Sequence, residues 1–207
     1  MLHADNITIQ YGDEHVLDGF SCNIGRGAFA CVTGASGCGK TSLLKAFLGM
    51  APLCRGTIRI DEHVLDEHSC NAIRKKVAYL PQDLALPYDT VAEAAVHILK
   101  IGNMRFDQST RLLLVTNLQR LGLEADLLDK RLCEISGGQR QRLMLAVLAL
   151  LNRELWLLDE PTAALDIASR DYVIDFLLEQ CDANHISCDT ATMVFPCRCC
   201  SSRKSIT

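Results

Sequence analysis

The residues with the most evident chemistry are Gly34-Ala35-Ser36-Gly37-Cys38-Gly39-Lys40-Thr41. Their order is G-x-x-x-x-G-K-[ST], a loop whose glycines let the backbone fold tightly enough for several N–H groups to converge on phosphate oxygens. A helix starting at the end of such a loop adds favourable partial charge at its N-terminus. Lys40 is placed to reach the β- and γ-phosphates of a nucleotide, and Thr41 to ligate Mg²⁺ through its hydroxyl. A second group lies far along the chain, where the apolar run Leu155-Trp156-Leu157-Leu158 ends in Asp159-Glu160. Two carboxylates closing a buried strand are costly to desolvate unless a metal or other partners satisfy them. Mg²⁺ carried by ATP is such a partner. Asp159 is the expected Mg²⁺ carboxylate, directly or through water, and Glu160 the candidate general base that polarises the attacking water.

The apolar pattern supplies the elements that must position these groups. Asn6–Tyr11 alternates with Ile7 and Ile9 on one face, Gly12-Asp13 turns, and Phe20–Ile24 runs again. Gly25 and Gly27 mark another turn, and Ala28–Thr33 is a compact apolar run that reads as the buried strand feeding the loop. Lys40–Met50 reads as the helix that follows it, Thr57–Ile60 as an edge strand and Val77–Leu80 as a second short buried strand. Strands are then hard to find. Val91–Ile101 and Ser109–Leu121 read as helices, and after the interruption at Gly137-Gly138 a long helix is expected from about Gln139 to Leu150. Glu154–Leu158 is the strand that carries the carboxylates, followed by a turn at Pro161 and a helix from about Ala168 to Gln180. The order predicts an α/β fold with a mostly parallel core sheet and a helical insertion over about residues 83–150.

Many phosphate-loop families share the first two motifs. The discriminating run is Ile135-Ser136-Gly137-Gly138-Gln139, which resembles the signature motif of ABC ATPases, usually LSGGQ, with Ile in place of Leu. Its spacing before Asp159 is the one that family uses. Ser136 and the two glycines can offer a hydroxyl and close backbone N–H groups to a phosphate at the start of a helix. With this resemblance come further expectations. Tyr11 corresponds to the aromatic residue that stacks on adenine. Gln82 corresponds to the Q-loop glutamine, which contacts Mg²⁺ or the attacking water and whose loop reports to the transport partner. Ala163-Ala164-Leu165-Asp166 resembles the D-loop, usually SALD. The family implies a P-loop NTPase fold over residues 1–187, with an N-terminal antiparallel β subdomain and an inserted helical subdomain. It implies a head-to-tail dimer, from two copies or from this chain and a related subunit, with ATP and Mg²⁺ held between the phosphate loop of one protomer and the signature turn of the other. Ser136, Gly137, Gly138 and Gln139 thereby join the nucleotide-binding set. Transmembrane permease subunits are the implied partners, with a solute-binding protein in some systems. The implied place is the cytoplasm, on the inner face of the cell membrane.

Composition narrows the alternatives. The chain has 207 residues, 49% of them hydrophobic and 22% charged, with a formal net charge of −4. A mildly acidic chain has no broad basic field for nucleic acid, and none is expected as a partner. Its longest apolar runs, Leu143–Leu151 and Leu155–Leu158, fall short of the roughly 20 residues of a spanning helix. The opening residues lack the pattern of a secretory signal. Eleven cysteines, an odd number, argue against a disulfide framework, and Cys197, Cys199 and Cys200 do not keep zinc-ligand spacing.

Two departures from the family pattern bear on turnover. The family places a switch histidine at the end of a strand well after the catalytic glutamate. Here His185 precedes the strand-like run Ala191–Phe195 instead of ending it. Residues 188–207 read as a divergent, Cys-rich tail lacking the final strands that usually close the sheet. In the helix after the signature, Val147 stands where relatives often carry Arg. The leading expectation is an Mg²⁺-dependent ATPase powering solute transport. The alternatives are a nucleotide-binding module with weak or no hydrolysis, and a soluble ABC ATPase in cofactor assembly.

Overall fold

Residues 1–26, 28–183, 189–193 and 205–206 are described by the structure, a computed structural model. His185 and the cysteines at 188, 197, 199 and 200 lie outside the described residues. The chain divides into two compact units, one of Met1–Tyr79, Glu154–Glu160 and Cys181–Thr207, the other of Leu80–Arg153 and Pro161–Gln180.

The first unit contains both sheets. β1 (Leu2–Tyr11) and β2 (Glu14–Ile24) form a hairpin, and β4 (Leu53–Ile60) and β5 (His63–Val64) extend it into an antiparallel sheet of order β2-β1-β4-β5. β4 is therefore internal to its sheet, which corrects its reading as an edge strand, and it begins earlier than Thr57. The second sheet has the order β6-β7-β8-β3-β9, from β6 (Val77–Leu80), β7 (Leu155–Asp159), β8 (Asp189–Met193), β3 (Phe29–Val32) and β9 (Ser205–Ile206). β8 runs parallel to both β7 and β3, and β9 runs parallel to β3. The edge beside β3, expected to lack a strand, is thus occupied by two residues of β9.

Helix α1 (Lys40–Phe47) packs against β1 of one sheet and β7 of the other. It buries Leu43, Leu44, Ala46 and Phe47 among Leu2, Ile7 and Ile9 of β1, Ile58 and Ile60 of β4, and Leu155 and Leu157 of β7. Each such aliphatic side chain contributes about 1.5–3 kcal/mol on burial. Arg26, Asp61 and Lys76 tie three turns together: Arg26 donates to Asp61 at 2.7 Å and Lys76 to the same carboxylate at 3.3 Å. Lys76 ends helix α2 (Cys70–Lys76), a short polar helix that buries only Ile73.

A β-bulge shapes β1. Asp5 pairs with Thr57 and Thr8 with Arg55, so Asn6 and Ile7 stand opposite Gly56 alone. The displaced Asn6 N–H donates to Ser21 Oγ at 2.8 Å. Gly56 has φ 86°, and a Cβ there would lie 2.4 Å from the carbonyl oxygens of Asp5 and Asn6.

The second unit is helical apart from one isolated bridge, Thr90 with Arg131. α3 (Val91–Ile101) starts in a reciprocal capping box between Thr90 and Glu93, and α4 (Gln108–Arg120) starts on Asp107, whose carboxylate accepts from the Thr110 N–H at 2.8 Å. Two 3₁₀ turns, Ala125–Asp129 and Leu132–Glu134, lead to α5 (Gly137–Leu150). α5 packs against α3 and α4 and is buried without interruption from Gln141 to Leu148. Val147 is one of these buried residues, so an apolar side chain fits that position. α6 (Ile167–Ala183) follows, its Phe176 ring lying under Arg120 at 5.8 Å. Among the described residues no helix is long and apolar enough to cross a membrane.

Two consequences are measurable. Gly56→Ala forces both a left-handed backbone and a clash with backbone oxygens, and should lower unfolding stability by about 2–4 kcal/mol in chemical denaturation. The Asp107 carboxyl is pushed down to about 2, chiefly by the Thr110 N–H and then by the Ser109 hydroxyl. A carboxyl depressed on folding stabilises above its unfolded value of about 3.9 and loses that contribution as pH falls through the folded value. The gap in thermal midpoint between the parent and Asp107→Ala should be full near neutrality, shrink below about pH 4 and close near about pH 2.

Candidate functional site

The phosphate loop leaves the carboxyl end of β3 and ends at Gly39, which has φ 92° and caps α1 without any side-chain hydrogen bond. Within the loop the Cys38 N–H donates to the Ala35 carbonyl at 3.2 Å, and Gly37 has φ 81°. Two of the glycines have steric reasons for being there. A Cβ on Gly39 would lie 2.8 Å from both Cγ1 and the carbonyl oxygen of Val16, and a Cβ on Gly34 would lie 2.5 Å from Cys38 Sγ. Lys40 Nζ donates to the Gly34 and Ala35 carbonyls at 3.1 and 2.9 Å, so its ammonium lies back over the loop. Thr41, next along, is half-buried in the first turn of α1. The absence of a side-chain cap at Gly39 leaves the cap residue with no group competing for the N-terminal N–H donors.

The carboxylates arrive at the same edge of the sheet. β3 and β7 both run parallel to β8, with Ala30 and Leu157 opposite Ala191, and Cys31 and Leu158 opposite Thr192. Asp159 therefore ends β7 level with Val32, two strands away, or about 10 Å across the sheet. Ligands of open parallel sheets bind outside this carboxyl edge. Asp159 is fully buried, and Glu160 is half-buried with φ 50°, a left-handed backbone in a residue that is not glycine. Tyr11 ends β1 at 44% exposure beside the Gly12 turn, leaving ring surface open for stacking.

The donor set fits Mg²⁺ carried by a nucleotide. A hydroxyl at Thr41 and a buried carboxylate at Asp159 are hard oxygen ligands, and Mg²⁺ ordinarily takes one or two such protein groups with phosphate oxygens and water. Among the described residues no group of three His, Cys, Asp or Glu is arranged to hold a metal ion by itself.

The other expected residues belong to the second unit. Ser136 caps α5 through a reciprocal box, its Oγ accepting from the Gln139 N–H at 3.1 Å while its own N–H donates to Gln139 Oε1 at 2.9 Å. The helix thus begins at Gly137, two residues before its expected start, because the glycine pair forms its first turn. A Cβ on Gly137 would meet nothing within 4 Å. Asp166 caps α6, accepting from the Ser169 N–H and hydroxyl at 2.9 Å each. These bonds, with a smaller contribution from Arg142, hold the Asp166 carboxyl below the usual range. Gln82 is exposed in the segment after β6.

Three contributors were not read from the sequence. Val16 backs the tight turn at Gly39. Tyr79 of β6 is half-buried, and its hydroxyl is pushed up by burial first and by the negative charge of Asp159 second. Arg142, buried in α5, donates to the Leu121 and Gly122 carbonyls at 2.8 and 3.1 Å and so closes the C-terminus of α4. The run Gln139-Arg140-Gln141-Arg142 carries no signal of which arginine turns inward. Among the described residues Cys22, Cys31, Cys38, Cys54, Cys70 and Cys133 are free thiols.

Comparison with known proteins agrees with this geometry. The family model described as ABC transporter matches residues 17–163. The ergothioneine transport ATP-binding protein EgtV of Helicobacter pylori (strain G27) is 32% identical over 199 residues, covering 92% of this chain and 87% of that protein. The manganese transport system ATP-binding protein MntB of Halalkalibacterium halodurans is 29% identical over 186 residues, covering 86% of this chain and 71% of that protein. The dimeric structure of MJ0796, a bacterial ABC transporter cassette, superposes with a TM-score of 0.81 at 26% identity, covering 94% of this chain and 87% of that one. A family match over most of the chain, on a fold shared with a solved cassette, makes this protein a member of the ABC transporter family, as one of its ATP-binding subunits.

Proposed function

We propose that the chain hydrolyses ATP at the interface of a head-to-tail dimer and that this cycle powers solute transport through transmembrane permease subunits. The observation that carries the reading is the shared carboxyl edge of β3 and β7, which presents a phosphate loop and two carboxylates together. The partner protomer is a second copy or a related subunit. The chain would then sit at the cytoplasmic face of the membrane, held there by the permease, with residues 83–150 as its helical arm. The ergothioneine and manganese systems named above are precedents for transport, but this chain's own solute is set by its permease.

In this reading the loop N–H groups and Lys40 grip the β- and γ-phosphates. Thr41 and Asp159 hold Mg²⁺, which when bound neutralises charge on the phosphate oxygens. Glu160 accepts a hydrogen bond from water and so turns the water's lone pair toward the γ-phosphorus, taking the proton as the new P–O bond forms and the bond from phosphorus to the bridging oxygen breaks, that oxygen leaving on ADP. Tyr11 stacks on the adenine. Ser136, Gly137, Gly138 and Gln139 meet the γ-phosphate of the partner's nucleotide with the Ser136 hydroxyl and the N–H groups opening α5. Gln82 contacts Mg²⁺ or the attacking water, and its loop reports the occupied state to the permease.

The test is ATP turnover by the purified chain with Mg²⁺, with ATP binding followed separately. Glu160→Gln should lower turnover by about 10²-fold or more while ATP still binds, since general base catalysis supplies about 10²–10⁴-fold. Turnover equal to the parent's would overturn Glu160 as the base. Lys40→Ala should weaken ATP binding itself by about tenfold or more, through loss of a charged contact to phosphate. Unchanged affinity would exclude the loop as the phosphate site. Binding without turnover in the parent would favour a nucleotide-gated module instead.

A further inference from the structure

Two glycines open α5, and neither is explained by helix formation, since glycine is a poorer helix former than alanine. Their surroundings differ. Gly137 faces open space, as a position that receives a phosphate requires. Gly138 does not: a Cβ there would lie 2.9 Å from Leu165 Cδ2 and 3.2 Å from the Ala164 carbonyl oxygen. Both neighbours belong to the Ala163–Asp166 turn. Leu165 is buried at 7% exposure, so its side chain has little room to withdraw.

Other contacts tie both the signature turn and α6 to the end of α4. Arg142 Nε donates to the Gly138 carbonyl at 3.4 Å while the same guanidinium holds Leu121 and Gly122. Gly122 in turn lies against α6, where a Cβ would come within 2.7 Å of the Tyr172 ring. Arg120 binds Glu179 further along α6. The start of α5 and the body of α6 are therefore braced by the same segment at the end of α4.

We propose that Gly138 is a positioning residue: the side chain it lacks is the space in which Leu165 and Ala164 seat, so that the Ser136–Gln139 and Ala163–Asp166 turns present themselves to a partner protomer as one rigid body. The inference rests on the dimer reading above for its functional consequence, but not for the packing itself. A displacement of either turn moves the other without passing through the nucleotide. Gly137 serves the ligand alone, and Gly138 serves the neighbouring turn as well.

The experiment uses the full chain and two readouts. Amide hydrogen exchange without nucleotide reports the packing. Gly138→Ala should speed exchange at the Leu165 and Ser169 amides by about tenfold, with α3 amides unchanged as the check on folding, because a local opening costs less once its packing is lost. Gly137→Ala should leave those two amides as in the parent. Adding Leu165→Ala to Gly138→Ala removes the obstructing methyl and should return Ser169 toward parental exchange. Turnover reports the consequence. Gly138→Ala should lower kcat by about tenfold with KM for ATP little changed, and the loss in the double variant should be smaller than the product of the two single losses. Parental exchange at Leu165 and Ser169 in Gly138→Ala, or losses that simply multiply, would overturn the proposal. If the parent shows no turnover that Glu160→Gln abolishes, the hydrolysis reading fails, and the exchange measurement still decides the packing.

Discussion

The desolvation of charge at the carboxyl edge of the parallel sheet is the constraint on which the rest of the first unit depends. Asp159 is fully buried at the end of β7, and a carboxylate there is tolerable only where its surroundings are polar or metal-bearing. The sheet meets the constraint by geometry. Running β3 and β7 in the same direction on either side of β8 sends the phosphate loop and the carboxylates to one edge, so cationic and anionic groups are gathered by topology rather than by long side chains. The antiparallel sheet then has a clear task. It covers α1 with Ile7, Ile9, Ile58 and Ile60 and supplies Val16 behind Gly39, which fixes the point where the loop becomes helix.

The second unit meets a different problem. α5 is buried on all sides from Gln141 to Leu148, yet it begins in a turn whose Ser136 and Gly137 are exposed. The capping box of Ser136 and Gln139 resolves this by satisfying two backbone N–H groups internally while the Ser136 hydroxyl can still donate. Arg142 is the cost and the anchor of the arrangement. Its burial disfavours the charged form, and its compensation is the set of carbonyls left unpaired where α4 ends.

Most of the candidate site was legible as a set of motifs because glycine and charge are hard to disguise. The phosphate loop, the Asp159-Glu160 strand end and the Ser136-Gly137-Gly138 turn each combine residue types that have few other uses. Val77–Leu80 and Val91–Ile101 were read to the residue. Other elements left little trace. Residues 70–76 bury Ile73 alone, too little for a periodic signal. β4 read as an edge strand because Leu53 to Thr57 are exposed, and its outer neighbour is only the two-residue β5. The inward turn of Arg142 and the seating of Leu165 against Gly138 depend on packing between segments distant in sequence, which no local pattern encodes.

Glu160 joins these strands of reasoning. The chain passes from the first unit to the second between Glu160 and Pro161, directly after the carboxylates and directly before the turn that leads to Asp166. Glu160 adopts a left-handed backbone there, at a cost of about 1–2 kcal/mol for a residue with a Cβ. Glycine would relieve that cost but would remove the carboxylate, which the proposed hydrolysis needs. The strain is sustained because both flanks are fixed, by the buried β7 on one side and by buried Pro161 and Thr162 on the other. The residue expected to act as general base is thus covalently two steps from Thr162, whose carbonyl accepts from the Leu165 N–H at 3.3 Å. The Glu160 backbone is thereby joined by a short stretch of chain to the hydrogen-bonded turn whose Leu165 seats against Gly138.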